Sequence, residues 1–335
     1  MPKSVLCFLG AGFSSVAGVP LAKNLFGPNY LLALSERSQK RFDAVLEHYR
    51  NWQTSNPSAH AEQYMSDIFS GVAGPNAPQW AWLVEYVGAV IASAGTPPAS
   101  QNRNPRYSNR INRPSDCQVH REFFDAILSA TNDLAVITTN YDLLIERTLR
   151  HKPMRRPSSP GCYYGGLPRP QTLKGAAQPF SRWSYEQLIE MTGTIPVYKL
   201  HGSLSWSLSG GTIVAYQDMR PAFRNGGNAA IVPPVPEKEI PSWLASVWDG
   251  AARALCSSSA WVICGYSAPE YDVEVLRLLR AGGAHRPLTV LLSSPDSDSS
   301  VARWRKIVPE ANIVALPGLP AGIRGIADYF AALPT

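Results

Sequence analysis

An apolar run, Val5-Leu6-Cys7-Phe8-Leu9, gives way at once to Gly10-Ala11-Gly12-Phe13-Ser14-Ser15-Val16-Ala17-Gly18-Val19-Pro20, and no other stretch constrains the fold as strongly. Such a run suits a strand buried on both faces, the habit of parallel sheets. Gly10 and Gly12 let the backbone turn sharply and approach a ligand with no Cβ in the way, and the residues after them can start a helix. The arrangement aims free backbone N–H groups and the positive end of a helix at a pyrophosphate, with Ser14 adding a hydroxyl donor. A glycine pair after an apolar strand is also common in α/β proteins that bind no dinucleotide, so the loop alone leaves both readings open.

The 335 residues, 45% of them hydrophobic, are enough to bury a sizeable core. The chain reads as a single domain spanning 1–335, with two departures from regular α/β alternation. Residues 27–118 form a mostly helical cap, with apolar residues at helical spacing over 39–52, 61–69 and 79–93. Trp80, Trp82 and Tyr86 belong to that pattern and read as core rather than as a base-stacking platform. Within the cap, residues 95–116 are rich in Pro, Asn and Arg and read as a loop or disordered segment, either a solvated linker or a basic arm. The stretch 151–182 is Pro- and Gly-rich and reads as an insertion.

Alternation resumes with the strand Leu134 to Thr138, which ends in Thr139-Asn140-Tyr141-Asp142 before a helix. In an open parallel sheet, ligands bind outside the carboxyl ends of the strands, where this polar tetrad falls. Asn140 or Asp142 could equally cap the helix that follows. The strand Ile195 to Leu200 delivers His201-Gly202-Ser203. A histidine there is placed to act as a general base, although a lone histidine also serves as a structural residue. The strand Trp261 to Cys264 ends in Gly265-Tyr266-Ser267-Ala268-Pro269-Glu270-Tyr271-Asp272, and Ser293, Ser294 and Asp296 follow a further strand.

The balance of 31 Lys and Arg against 25 Asp and Glu is modestly basic, which suits anionic ligands and only weakly suggests nucleic acid. Five scattered cysteines imply no disulfide framework, and the absence of any CxxC pair argues against a zinc ribbon. No apolar run approaches a membrane span, and the first strand begins too early for a signal peptide, so the expected location is the cytoplasm.

Taken in order, these clusters resemble the sirtuin superfamily, and most closely the bacterial SIR2-like proteins of antiphage defence. Gly10, Ala11, Gly12, Ser14, Gly18 and Pro20 match the pattern GAGxSxxxGxP. Thr139 to Asp142 match the TxNxD region, Leu200 to Ser203 the catalytic histidine motif, and Gly265 to Ser267 the late Gly-x-Ser that contacts phosphate. The chain departs from sirtuin deacylases in carrying Leu21-Ala22-Lys23 where they have Asp-Phe-Arg, and in lacking their paired zinc cysteines. The segments 39–116 and 151–182 lie outside the resemblance.

The resemblance implies a Rossmann-like, doubly wound parallel sheet with a helical cap insertion and no zinc ribbon. It also implies hydrolysis of NAD, with no metal. Under it, His201 is the general base and Asn140 holds water and ribose. Gly10, Ala11, Gly12 and Ser14 cradle the pyrophosphate, with Gly265 and Ser267 assisting. Asp142 recognises the carboxamide or caps its helix, and Asp296 is placed by the adenosine ribose. The alternatives are an NAD-dependent protein deacylase and a non-catalytic NAD- or ADP-ribose-binding module. Implied partners are further copies of the chain, or a separate protein such as a HerA-type ATPase or a short Argonaute.

Overall fold

In the computed structural model the described residues are 4–27, 36–71, 77–93, 118–150, 161–168, 171–176, 186–191, 193–216, 219–223, 228–233 and 240–333. The strands are β1 Val5–Leu9, β2 Leu134–Thr138, β3 Cys162–Tyr164, β4 Gln171–Ala176, β5 Glu186–Met191 and β6 Ile195–Lys199. They continue with β7 Gly202–Ser209, β8 Thr212–Ala215, β9 Ala229–Ile231, β10 Ala260–Cys264, β11 Thr289–Ser293 and β12 Asn312–Leu316. The helices are α1 Ala11–Ser15, α2 Glu36–Ser55, α3 Ala61–Ser70, α4 Ala77–Ser93, α5 Gln118–Leu128 and α6 Leu144–Arg150. After these come α7 Arg220–Phe223, α8 Ser242–Ser257, α9 Val273–Gly283, α10 Ser297–Ile307 and α11 Gly322–Ala331.

Seven strands make one parallel sheet in the order β12-β11-β10-β1-β2-β6-β3. Every residue of β1 and β10 is buried, and successive side chains of a strand point to opposite faces, so both faces of the sheet centre are covered. Helix α5 packs against α6 and α11, and α9 packs against α8 and α10. The fold is therefore the expected Rossmann-like, doubly wound α/β sheet. Chain order reverses at β1, which has β2 on one side and β10 on the other, so the crevice of the switch point opens beyond the ends of these strands.

Helices α2, α3 and α4 share a second apolar core with the turn after α1. Phe42, Tyr64 and Tyr86 are buried in it, joined by Leu25 from the turn and by Leu204 and Ile231 from β7 and β9. Phe26 stacks on both Tyr49 and Tyr86, and the Tyr86 hydroxyl donates to the Leu25 carbonyl at 2.9 Å. The cap is thus pinned directly to the strand-helix turn that borders the crevice. Trp80 meets Phe69 edge to face, a packing role for that aromatic.

The stretch 151–182 holds more regular structure than its composition suggests. Cys162–Tyr164 pairs with β6 as the edge strand of the main sheet, and β4 within the stretch pairs antiparallel with β5, which follows it. A three-residue strand with Cys162 and Tyr164 buried is too short to leave a periodic signal. The expected loop at 95–116 lies outside the described residues. Among the described residues no helix is long and apolar enough to cross a membrane.

Candidate active site

A cleft of about 830 Å3, counting the part open to solvent, lies at the switch point. Ala11 and Ser14 line it from the loop after β1, Thr139 to Asp142 from the end of β2, and His201 from the end of β6. Gly265, Tyr266, Ser267, Tyr271 and Asp272 border it after β10, and Glu62 and Met65 of α3 come from the cap. Residues far apart in sequence meet here because all four strands run parallel and end on the same side.

Asn140 is held by the first loop. Its Nδ2 donates to the Gly10 carbonyl and to the Ser14 hydroxyl, both at 2.9 Å, and its backbone N–H reaches Thr138 Oγ1 at 3.1 Å. Thr138 Oγ1 in turn donates to the Leu9 carbonyl at 2.7 Å, so the ends of β1 and β2 are tied together. With both amide protons engaged, the Asn140 side chain has its carbonyl oxygen left to offer. The Ser14 hydroxyl, already an acceptor, keeps its proton for a ligand.

His201 follows the buried edge of β6, where Trp248 Nε1 donates to the Leu200 carbonyl and Val232 N–H to the His201 carbonyl. Gly202 has φ +77° and packs against the backbone of Ala230 and Ile231, so the turn after the histidine requires glycine. The imidazole is buried, and its Nε2 lies 3.6 Å from Asp272 Oδ2, with no hydrogen-bond partner among the described residues. Asp272 accepts the Tyr266 phenol on the same oxygen at 2.8 Å. Burial and then the Asp272 charge push the Tyr266 phenol up, which keeps it a donor.

Beneath the site, Lys199 is fully buried with its Nζ 3.0 Å from Glu146 and donating to the Asp142 carbonyl at 2.5 Å. This pair fixes the turn that carries Asn140. Asp142 itself accepts the Leu144 N–H on Oδ1 at 2.8 Å, the helix-capping geometry, while still lining the cleft.

Two readings of the first loop change. Gly10 N–H donates to the Cys264 carbonyl at 3.0 Å and Gly12 N–H to the Gly265 carbonyl at 2.8 Å, so neither is free to meet a phosphate. A Cβ on Gly10 would come within 2.6 Å of the Gly265 carbonyl oxygen, and one on Gly12 within 2.8 Å of Gly265 Cα. These glycines, with Gly265 at φ +67°, are needed because the loops after β1 and β10 touch backbone to backbone. Fewer backbone donors of this loop are thus left for a ligand than the glycine pattern suggests, while Ala11, Ser14 and Ser267 line the cleft. Asp296 is exposed, caps α10 through the Ser299 N–H, and is absent from the lining.

Sequence reasoning missed Asp272, Tyr266 and Glu62. The first two stand in the quoted Gly-Tyr-Ser-x-Pro-Glu-Tyr-Asp stretch, where only Gly265 and Ser267 drew a role. Among the described residues no group of three or more His, Cys, Asp and Glu could hold a metal ion.

A family model described as a SIR2-like domain matches residues 134–313, more than half of the chain and three of its four site segments. The chain belongs to the SIR2-like family. In this SIR2-like chain the matched span includes Asn140, His201, Ser267 and Asp272, while the loop after β1 lies before it. None of the curated proteins matches the chain. Among solved structures, a Sir2 homologue mutant with 2′-O-acetyl ADP ribose shares 13% identity over 98% of this chain and 91% of its own, with a TM-score of 0.46. A second, a Sir2 homologue mutant with ADP ribose, shares 13% identity over 100% of this chain and 96% of its own, also at TM-score 0.46.

Proposed function

We propose that this protein hydrolyses NAD at the bond between nicotinamide and ribose, releasing nicotinamide and ADP-ribose. The observation that carries the reading is the meeting of Asn140 and His201 in one cleft at the switch point of a SIR2-like sheet, with Asp272 behind the imidazole.

The chemistry asks little of the protein on the leaving-group side. The nicotinamide ring of NAD is cationic, and when its bond to the ribose C1′ breaks, the electron pair returns to the ring nitrogen and the base leaves neutral. Positive charge moves to the ribose as an oxocarbenium-like transition state, and water must add to it. His201 takes a proton from that water, directly or through a ribose hydroxyl, and the Asp272 carboxylate offsets the charge the imidazole gains. The Asn140 carbonyl oxygen holds the water or a ribose hydroxyl. Ser14 Oγ, Ala11 N–H and Ser267 meet the pyrophosphate, and Asp142 stands ready for the carboxamide from its capped position.

The same reading casts the protein as an effector of antiphage defence that drains NAD from an infected cell. Its restraint would come from assembly, with further copies of itself or with a separate partner. Its support is the resemblance of Thr138 to Asp142 and Gly265 to Asp272 to the defence-type forms of these motifs.

The test is NAD turnover by the assembled protein with and without an acyl-lysine peptide. Peptide-independent release of nicotinamide is the expected result. Turnover that needs the peptide would replace the hydrolase with a deacylase, and no turnover under any assembly state would leave a binding module.

A further inference from the structure

The cleft is acidic at its reactive end, although the substrate read for it is an anion overall. Glu62, Asp142 and Asp272 line it, and among the described residues no Lys or Arg does. Asp142 is engaged in capping α6 and Asp272 faces His201, as described above. Glu62 is different, because it enters from the first turn of α3 in the cap rather than from a strand end. No ion pair joins Glu62 to a Lys or Arg among the described residues, and its hydrogen-bond donor is the Tyr271 phenol.

Glu62 shares the cleft lining with Asn140, His201 and Asp272. Burial first, and the Glu62 charge next, push the phenols of both Tyr141 and Tyr271 up. Tyr141 sits between Asn140 and Asp142 in sequence, and Tyr271 is next to Asp272. Glu62 thus bonds the neighbour of the residue that faces His201, and it lines the same cleft as Asn140 and His201. A half-enclosed carboxylate without a basic partner repels a diphosphate and attracts a cation, and its field there is screened less than on an open surface.

We infer that Glu62 is a specificity-determining residue that reads the positive charge of a pyridinium dinucleotide, orienting its cationic end toward His201 and selecting the oxidised over the reduced cofactor. The inference rests on the NAD reading above and concerns ground-state recognition rather than the cleavage step. It also gives the cap a part in the site, since the charge sensor stands on α3 and the proposed chemistry stands on the sheet.

The experiment is a binding titration of the full chain with three ligands. Carba-NAD keeps the pyridinium charge but has a methylene in place of the ribose ring oxygen, so it is not consumed. NADH has a neutral dihydronicotinamide, and ADP-ribose lacks the base. The wild-type chain is expected to bind carba-NAD roughly tenfold more tightly than NADH. Glu62→Gln should bring that ratio to about threefold or less while ADP-ribose affinity stays within about twofold, which also shows that the variant is folded. An unchanged ratio in the variant, a parallel loss for all three ligands, or a wild-type chain that does not separate carba-NAD from NADH overturns the inference. A wild-type chain that shows the preference but releases no nicotinamide from NAD supports the inference and removes only the hydrolase reading.

Discussion

The Asp272 carboxylate stands 3.6 Å from Nε2 of His201, and the oxygen that faces the ring also accepts the Tyr266 phenol at 2.8 Å. In the proposed reaction Asp272 is a positioning residue, with its own orientation fixed by Tyr266. Replacing it by asparagine keeps the shape and removes the charge that balances a protonated imidazole. Asp272→Asn is expected to lower kcat for NAD cleavage by roughly 10²-fold with KM changed little. A merely structural role would instead raise KM or lower the melting temperature while leaving kcat in place.

Gly265→Ala tests the contact between the two loops. The residue is at φ +67°, and an added Cβ would collide with the backbone of Gly12 and Phe13. Left-handed strain and backbone displacement together should cost about 3 kcal/mol or more. Denaturant unfolding is expected to show a midpoint well below that of the wild type. NAD cleavage should fall as well, because Asn140 is hydrogen-bonded to Gly10 and Ser14 of the displaced loop.

His120 supports the same loop from behind. Its Nε2 donates to the Phe13 carbonyl at 2.8 Å, and its ring meets Phe13 edge to face. Burial holds its imidazole below the ordinary 6.5, against smaller opposing effects of the Phe13 carbonyl and the Asp142 charge. A depressed histidine pKa means that the unfolded chain takes up the proton first. Stability from the neutral ring is therefore complete above about pH 6.5 and declines as pH falls below it toward the folded value. His120→Asn keeps a donor and removes the titration. The stability gap between wild type and variant, measured by urea unfolding, should narrow between pH 7.5 and pH 5.5.

Lys199 offers a test of what lies beneath the site. Lys199→Met leaves Glu146 buried without its counter-charge, which should cost roughly 3 to 5 kcal/mol. Lys199→Met with Glu146→Leu removes both charges and is expected to recover most of that loss in chemical denaturation.

Much of this architecture is legible in the residues themselves. β1, β2 and β10 are continuous apolar runs, polar residues follow each of them and β6 as well, and in a parallel sheet such endings converge, so Asn140, His201 and Ser267 could be placed at one site without coordinates. The glycine pattern told only that a Cβ could not be tolerated at positions 10 and 12. It did not tell that the intruding group would be the Gly265 turn rather than a phosphate. β3 escaped because three residues among prolines and glycines have no measurable period. Glu62 escaped for another reason. On an amphipathic helix a half-buried glutamate looks like any solvated charge, and only the docking of α3 over the cleft gives it a neighbour in Tyr271.

In the proposed reaction His201 and Asn140 together cut the bond between nicotinamide and ribose. Its most direct test is chromatographic measurement of nicotinamide and ADP-ribose formed from NAD by the assembled wild-type protein beside folded His201→Ala and Asn140→Ala variants. Equal amounts of the two products are expected from the wild type, with the rate at least roughly 10²-fold lower in each variant. Unimpaired release by His201→Ala, or no release by the wild type in any assembly state, would contradict the account.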